Sequence, residues 1–201
     1  MTSAPAPRLA VMEASTRDRI VAAAVEITTS SGWAAVTMAR LAEAAGVSRQ
    51  TVYNEVGSKP ALAESMILDE LARFLRAVEQ AFDAEPDDLT RAIERAVSDV
   101  LTYASANKLL HAVVSATHGA DTELLPLLTT NAAGLLGVAK EVIGLRVEPY
   151  QPSIDADHLD PAIDMVVRVV LSHVMQPSDS PEKTGADIAW LAGQVLGPKR
   201  S

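Results

Sequence analysis

The residues best suited to a chemical task are polar side chains within residues 37–59, which read TMARLAEAAGVSRQTVYNEVGSK. Arg49 can grip guanine and Gln50 can grip adenine, each with two hydrogen bonds to a base edge. The alternative is that both are solvated residues that touch only phosphate, and Asn54 could do either. The chemistry that these residue types offer is recognition of double-stranded DNA.

Two short helices joined by a tight turn must position these side chains. Thr37 can cap the first helix, whose apolar positions recur at helical spacing: Met38, Leu41, Ala42 and Ala45. Gly46 follows where a left-handed residue lets the chain turn, and Ser48 can cap the second helix. This layout favours a helix-turn-helix over a plain helical hairpin, with the second helix entering the major groove.

The segment resembles the DNA-binding head of the TetR family of one-component transcriptional repressors. The matching residues cover about residues 16–62: Thr16–Ser31, Gly32-Trp33, Thr37-Met38, Leu41-Ala42, Ala45-Gly46-Val47-Ser48, Thr51-Val52-Tyr53 and Gly57-Ser58-Lys59. The resemblance implies phosphate contacts, which position a protein without reading sequence, by Thr37, Ser48, Thr51, Tyr53 and Lys59. The chain departs from the family's YxHF-like run, because Asn54 and Glu55 stand there. Glu55 could accept a hydrogen bond from a cytosine amino group or pair with Lys59 at the surface.

Charge is distributed unevenly along a chain whose net charge is −9. Residues 1–59 hold six Lys or Arg and five Asp or Glu. Residues 60–201 hold eleven Lys or Arg and twenty-one Asp or Glu. DNA affinity rests largely on neutralised phosphates. We therefore expect the binding face to concentrate Arg40, Arg49, Lys59 and helix N-termini, and two copies of the chain to be needed.

Helix starts, helix stops and apolar spacing along the chain predict an all-α protein of about nine helices, with a helix-turn-helix head on a larger helical domain. The 201 residues are 48% hydrophobic but only 3% aromatic, so the core must be aliphatic. We expect a disordered tail at 1–14, the DNA-binding head at 15–62, and an effector-binding and dimerisation domain at 63–201. The chain has no cysteine, no long uninterrupted apolar run and no convincing signal core, so we expect a cytoplasmic protein.

Helix-start and helix-stop residues divide the larger domain into separate predicted helices. A long helix is predicted from Ser58-Lys59-Pro60 to about residue 84, followed by helices at about 88–105, 108–118 and 122–146. After a loop at 147–158, Asp160-Pro161 is predicted to begin a helix that ends at Met175. The run VVRVVLSHV within it would also suit a strand, but its length and cap favour a buried helix. Ser180-Pro181 begins the last helix.

Residues 88–146 are rich in apolar residues, which indicates either ordinary core packing or a ligand cavity between helices. The candidate apolar lining is Leu101, Leu110, Val114, Leu128, Leu135 and Val138. The candidate polar groups are Tyr103, His111, Thr117, His118 and Asn131. His111 and His118 share a helix face with Asp121 nearby, but no metal-site spacing is present, so no metal or other cofactor is expected. No catalytic motif was found either, so we do not expect an enzyme.

These observations predict a homodimeric repressor that binds a palindromic operator and is released by a small apolar or amphipathic effector. The run at residues 53–59 also resembles a branch of the family linked to alkane and fatty-acid metabolism, which implies a fatty-acid-like effector. The dimer interface is expected on the last two helices, at Val166, Val170, Val174, Leu191 and Val195. The alternative is a DNA-binding regulator controlled by a protein partner without a small effector.

Overall fold

A computed structural model of the chain describes residues 15–116 and 132–196, and those two ranges contain nine α-helices and no strand. The helices are α1 (Thr16–Ser31), α2 (Met38–Ala45), α3 (Arg49–Val56), α4 (Lys59–Ala84), α5 (Leu89–Ala106), α6 (Lys108–Ala116), α7 (Ala132–Val147), α8 (Ala156–Met175) and α9 (Pro181–Leu196). Short 3-10 turns cover Trp33–Ala35 and Glu148–Tyr150. The all-α prediction is confirmed. Within the same ranges, no helix combines the length and the apolar character that crossing a membrane requires.

The helices of the N-terminal part begin at the residues that the sequence predicted. Ser15 and Asp18 form a reciprocal capping box: the Asp18 N–H donates to Ser15 Oγ at 3.1 Å, and the Ser15 N–H donates to Asp18 Oδ2 at 3.0 Å. Thr37, Ser48 and Ser58 cap α2, α3 and α4 in the simpler way, each accepting from a backbone N–H three residues on. Each such cap typically stabilises its helix by about 0.5–2 kcal/mol.

Two clusters of buried apolar residues hold the molecule together. The head cluster joins α1, α2, α3 and the start of α4 around Ile20, Leu41, Val52 and Leu62. The body cluster joins the far end of α4 to α5, α7, α8 and α9. Leu109 of α6 belongs to the head cluster although it lies far along the chain. The helix α6 therefore anchors the head against the body.

The start of α8 corrects one prediction. The helix begins at Ala156, and Pro161 lies inside it, instead of Asp160-Pro161 forming the start. A proline there removes one backbone hydrogen bond. Leu159 and Ala162 pack against the body cluster, and burial of their apolar surface offsets the hydrogen bond that Pro161 removes. The region is helical, so the strand alternative for VVRVVLSHV is excluded.

Other boundaries agree with the sequence where the structure describes them. The helix α4 ends at Ala84, α5 ends at Ala106 before Asn107, and α9 begins at Pro181. The predicted helix at 122–146 is observed as α7 from Ala132, and its predicted first part lies outside the described residues. The expected tail at 1–14 lies outside them as well.

The helices α5 and α9 pack closely because glycine faces the contact. A Cβ placed on Gly185 of α9 would lie 2.9 Å from the Glu94 carbonyl oxygen and 3.2 Å from the Ser98 nitrogen of α5. Ile188, Ala189 and Ala192 extend the same buried face of α9. This close pair forms one wall of the body and gives the other helices a fixed support.

Candidate functional site

The turn between α2 and α3 fixes the direction of the second helix. Gly46 adopts the left-handed conformation at φ 66°, and its N–H returns to the carbonyls of Ala42 and Glu43. The Val47 N–H donates to the Ala42 carbonyl at 2.9 Å, and Ser48 then caps α3. An αL residue is costly without glycine, so this position demands it. The turn therefore has the backbone conformation that the sequence predicted.

The helix α3 buries one face and exposes the other. Val52 and Val56 are buried in the head cluster. Arg49, Gln50, Tyr53 and Asn54 are exposed, as direct reading of bases would require. The Gln50 side-chain amide donates to Asn54 Oδ1 at 3.0 Å, so these two side chains form a pair one turn apart. That pair therefore presents hydrogen-bonding groups at the protein surface.

Apart from Tyr53 in the middle of α3, the candidate phosphate contacts lie at the starts of three adjacent helices. The Thr37 hydroxyl accepts from the Arg40 N–H at 3.2 Å, and the Arg40 guanidinium donates to the Ala35 carbonyl at 3.1 Å. Ser48 Oγ and Thr51 Oγ1 lie 2.8 Å apart. The Lys59 ammonium lies 4.9 Å from the centroid of the Trp33 ring, which is cation–π range. All nine residues proposed to meet DNA are exposed or half-buried.

Two arginines that sequence reasoning missed hold the helix-turn-helix in place. The Arg17 guanidinium of α1 donates to the Glu55 carbonyl near the end of α3 and, at 2.8 Å, to Ser65 Oγ of α4. Arg19 donates to the Ala45 carbonyl at the end of α2. Both cations thus meet carbonyls at helix C-termini, where unpaired acceptors and the negative end of the helix dipole lie. No local pattern could reveal partners that lie 26 to 48 residues away.

The body contains an apolar cavity of about 420 Å³, within the usual size range of small-molecule sites. The described helices α4 to α9 all contribute to its wall, and the side chains of α4, α7 and α8 supply most of it. Phe74, Val97, Ile143 and Val167 are typical of that wall. Two predicted lining residues, Leu110 and Leu135, take part. The cavity argues against a body filled only by packing.

Four other predicted ligand residues, Leu101, Tyr103, His111 and Val138, do not line the cavity. Leu101 is buried in the body cluster and Tyr103 is half-buried, but neither lines the cavity. His111 and Val138 are exposed, so the predictions for them are corrected. Their positions on α6 and α7 turn outward because a helix exposes part of its circumference to solvent. The side chain of Val114, and the residues Thr117, His118, Leu128 and Asn131, lie outside the described part of the structure. So does Asp121.

One end of the cavity is polar. Glu70 of α4 receives the Tyr103 hydroxyl at 2.7 Å and the Asn107 side-chain amide at 2.6 Å, both on Oε2, while Arg73 pairs with Oε1. The Asn107 Oδ1 accepts from the Leu110 N–H at 2.9 Å, near the start of α6. Burial and the Glu70 carboxylate both raise the pKa of the Tyr103 phenol. Glu70 and Asn107 line the cavity.

The expected interface residues divide between two faces. Val166, Val170 and Val174 are half-buried and line the cavity, because they share the inward stripe of α8 with Ile163 and Val167. In the single chain these three valines face the body, and their place in a dimer interface stays a prediction. Leu191 and Val195 of α9 are half exposed, as an interface would require. The other large apolar side chains exposed on α8 and α9 are Met165, Val169, Leu171, Met175 and Trp190.

Comparison with known proteins gives two matches to family models. Residues 20–66 match "Bacterial regulatory proteins, tetR family", and residues 88–194 match "Bacterial Tetracyclin repressor, C-terminal domain". The second match alone covers more than half of the chain. The two matches leave between them residues 67–87, which lie mostly within α4.

Individual relatives agree with these matches over nearly the whole chain. The HTH-type transcriptional regulator AlkX of Mycobacterium tuberculosis is 28% identical over 193 residues, which span 94% of this chain and 90% of that protein. The solved structure of the repressor AlkX from Dietzia sp., implicated in biodegradation of n-alkanes, is 27% identical and has a TM-score of 0.69, covering 90% of this chain and 97% of that chain. The fatty acid degradation regulator FadR of Bacillus halodurans shares the fold at 20% identity, with a TM-score of 0.59 over 94% of this chain and 98% of that chain.

Proposed function

The chain belongs to the TetR family of bacterial transcriptional regulators, and we propose that it is a homodimeric repressor whose operator binding is relieved by a small apolar or amphipathic effector. The head reads a palindromic operator through α3, and the body binds the effector between its helices. The effector needs a higher affinity for the DNA-released state, because equal affinity for both states would shift nothing.

The observation that carries this proposal is the connection between the cavity and the head. Leu109 lines the cavity and is also buried in the head cluster, only 6% exposed. A molecule that fills the cavity must therefore pack against a residue that also supports α1. Interiors are close-packed, so a change on one side of such a residue is felt on the other.

A second copy of the chain is needed to read two half-sites. Recognition helices of a symmetric dimer lie about 34–36 Å apart, one turn of DNA. The exposed apolar side chains of α8 and α9 offer a surface for that dimer, and we assign Met165, Val169, Trp190, Leu191 and Val195 to it. They are 69%, 39%, 65%, 50% and 48% exposed in the single chain. Monomers seldom keep such side chains grouped without a partner.

The relatives support the class of effector. One similar repressor is implicated in n-alkane degradation and another regulates fatty acid degradation. The cavity of this chain is walled almost entirely by aliphatic and phenyl side chains, which suit a hydrocarbon chain. We therefore propose long-chain aliphatic compounds as the first class to test.

The experiment begins with selection of genomic DNA fragments on the purified protein, which yields the operator. Fluorescence anisotropy then follows operator release, and thermal unfolding follows binding, for a panel of aliphatic compounds. A true effector raises the melting temperature by mass action and releases the operator over the same concentration range. A panel in which no compound stabilises the protein would overturn the effector proposal and favour control by a protein partner.

The dimer is tested separately by sedimentation. Leu191→Glu should give a monomer with weakened operator binding, because a charge would be buried at the interface. Asp187→Glu, on the same helix and exposed, is the matched control and should remain a dimer. A wild-type chain that sediments as a monomer at micromolar concentration would contradict this arrangement.

A further inference from the structure

The polar end of the cavity lies at the junction of three helices. Glu70 comes from the middle of α4, and Asn107 stands between α5 and α6. Two residues further on, Leu109 enters the head cluster. Among the described residues that line the cavity, Glu70 and Asn107 alone are polar. Any polar atom of a bound molecule that lies against the described wall must therefore find its partner here.

The hydrogen-bonding capacity left at this end can be counted. An ionised carboxylate offers about four acceptor positions, and the Glu70 side chain uses three of them for Arg73, Tyr103 and Asn107. The Asn107 amide has two N–H groups, of which one donates to Glu70. Its carbonyl oxygen accepts from the Leu110 N–H. By this count one acceptor position on Glu70 and one N–H donor on Asn107 remain, and both residues line the cavity.

A hydroxyl group matches these two remaining positions, because it can donate to the Glu70 carboxylate and accept from the Asn107 amide at the same time. A ligand carboxylate fits poorly, since it can only accept and would bring a second negative charge beside Glu70. Arg73 does not line the cavity and is already paired with Glu70, so it is not placed to neutralise a second anion.

We propose that Glu70 and Asn107 form the head-group subsite of the effector cavity, and that this subsite takes the uncharged hydroxyl of an aliphatic alcohol in preference to a carboxylate. The inference rests on the proposed function, because it names the chemistry of the effector that the function requires. It also places the polar end of the effector beside the start of α6.

The size of the cavity sets the length of the test compounds. The cavity, at about 420 Å³, lies in the range of small-molecule sites, so the test compounds carry a chain of about twelve carbons. The compounds 1-dodecanol, dodecanoate and dodecane share a chain of suitable length and differ only at one end. Binding of each is measured by displacement of a fluorescent apolar probe at pH 8, where dodecanoate is ionised.

The decisive variant is Glu70→Gln, which keeps the size of the side chain and removes its charge. The matched control is Glu79→Gln on the same helix, because Glu79 is also paired with an arginine, Arg146 at 3.3 Å, but does not line the cavity. Comparison of two compounds within one variant cancels any general loss of stability. The wild-type protein should prefer dodecanol to dodecanoate by about tenfold or more, as expected for two like charges in a partly desolvated site.

The results separate this inference from the proposed function. In Glu70→Gln the preference for the alcohol should fall at least several-fold, and in Glu79→Gln it should not change. Equal or tighter binding of dodecanoate by the wild type, equal binding of dodecane and dodecanol, or an unchanged preference in Glu70→Gln would overturn the subsite and leave the effector cavity standing. Failure of all three compounds to bind would overturn the aliphatic effector, and the subsite with it.

Discussion

Replacement of Arg17 by methionine tests whether this arginine acts on the recognition helix or on DNA. Arg17 is an exposed cation in the head, so a phosphate contact is the obvious alternative. The structure shows its guanidinium bonded to the Glu55 carbonyl and to Ser65 Oγ, which links α1 to both α3 and α4. Methionine keeps the apolar stem of the side chain and removes every donor.

The magnitude follows from these two hydrogen bonds. A hydrogen bond to a charged group contributes about 1.5–3 kcal/mol when it is shielded from water, but an exposed pair is screened and contributes less. We therefore expect the loss of both bonds to cost about 1–2 kcal/mol in total. Binding must restore the orientation of α3, so operator affinity should fall about 5- to 30-fold. Affinity for unrelated DNA should change little.

Fluorescence anisotropy on operator and scrambled duplexes, repeated from about 50 to 200 mM salt, provides the assay. Each phosphate contact contributes about 0.9 to the slope of log affinity against log salt. Arg17→Met should leave that slope unchanged, whereas the comparison variant Arg40→Met should reduce it by about one. Equal losses on both duplexes together with a smaller slope for Arg17→Met would refute the positioning role and make Arg17 a phosphate contact.

Three further predictions address base reading, the cavity and helix packing. Arg49→Ala should weaken operator binding by about 1–3 kcal/mol if Arg49 grips a base, and an equal loss on scrambled DNA in the same assay would reduce it to a phosphate contact. Leu135→Trp should fill the cavity and abolish effector-induced release while operator binding and sedimentation stay normal; release that persists would place the effector elsewhere. Gly185→Ala should lower the free energy of unfolding by about 1–3 kcal/mol through overpacking against α5. Gly137→Ala, whose Cβ would meet nothing within 4 Å, should instead be neutral or stabilising in the same denaturant titration.

Features governed by neighbours along the chain could be predicted from the sequence. Ser15, Thr37, Ser48 and Ser58 each act on a backbone group three residues away, so their residue types reveal the helix starts. Gly46 similarly reveals a left-handed turn. The all-α fold and the family follow from these local signals taken together.

Features governed by residues distant in the chain could not be predicted in the same way. Arg17 bonds to partners 38 and 48 positions away. The valines of α8 were predicted at a dimer interface, and the sequence did not show that they also line a cavity, because an apolar stripe does not state which neighbour covers it. Pro161 suggested a helix start. The helix instead begins at Ala156, because Leu159 in the additional turn packs against the body cluster. The cavity wall from α4 was missed for the same reason, since its apolar side also resembles ordinary core packing.

Leu109 has a thermodynamic consequence because it belongs to two sites at once. It lies against the effector cavity and inside the head cluster. If an effector weakens operator affinity by some factor, the operator must weaken effector affinity by the same factor. The ligand affinity measured on free protein is then an upper limit for the protein that occupies its operator.

This reciprocity makes bound DNA an antagonist of the effector. Molecules of the protein that occupy no operator would bind the effector first, and the repressed promoter would respond last. The concentration that switches the gene is then set by the number of protein copies and operators as well as by the cavity itself. Leu109→Ala would loosen the shared contact, so effector affinity measured with and without operator DNA should converge.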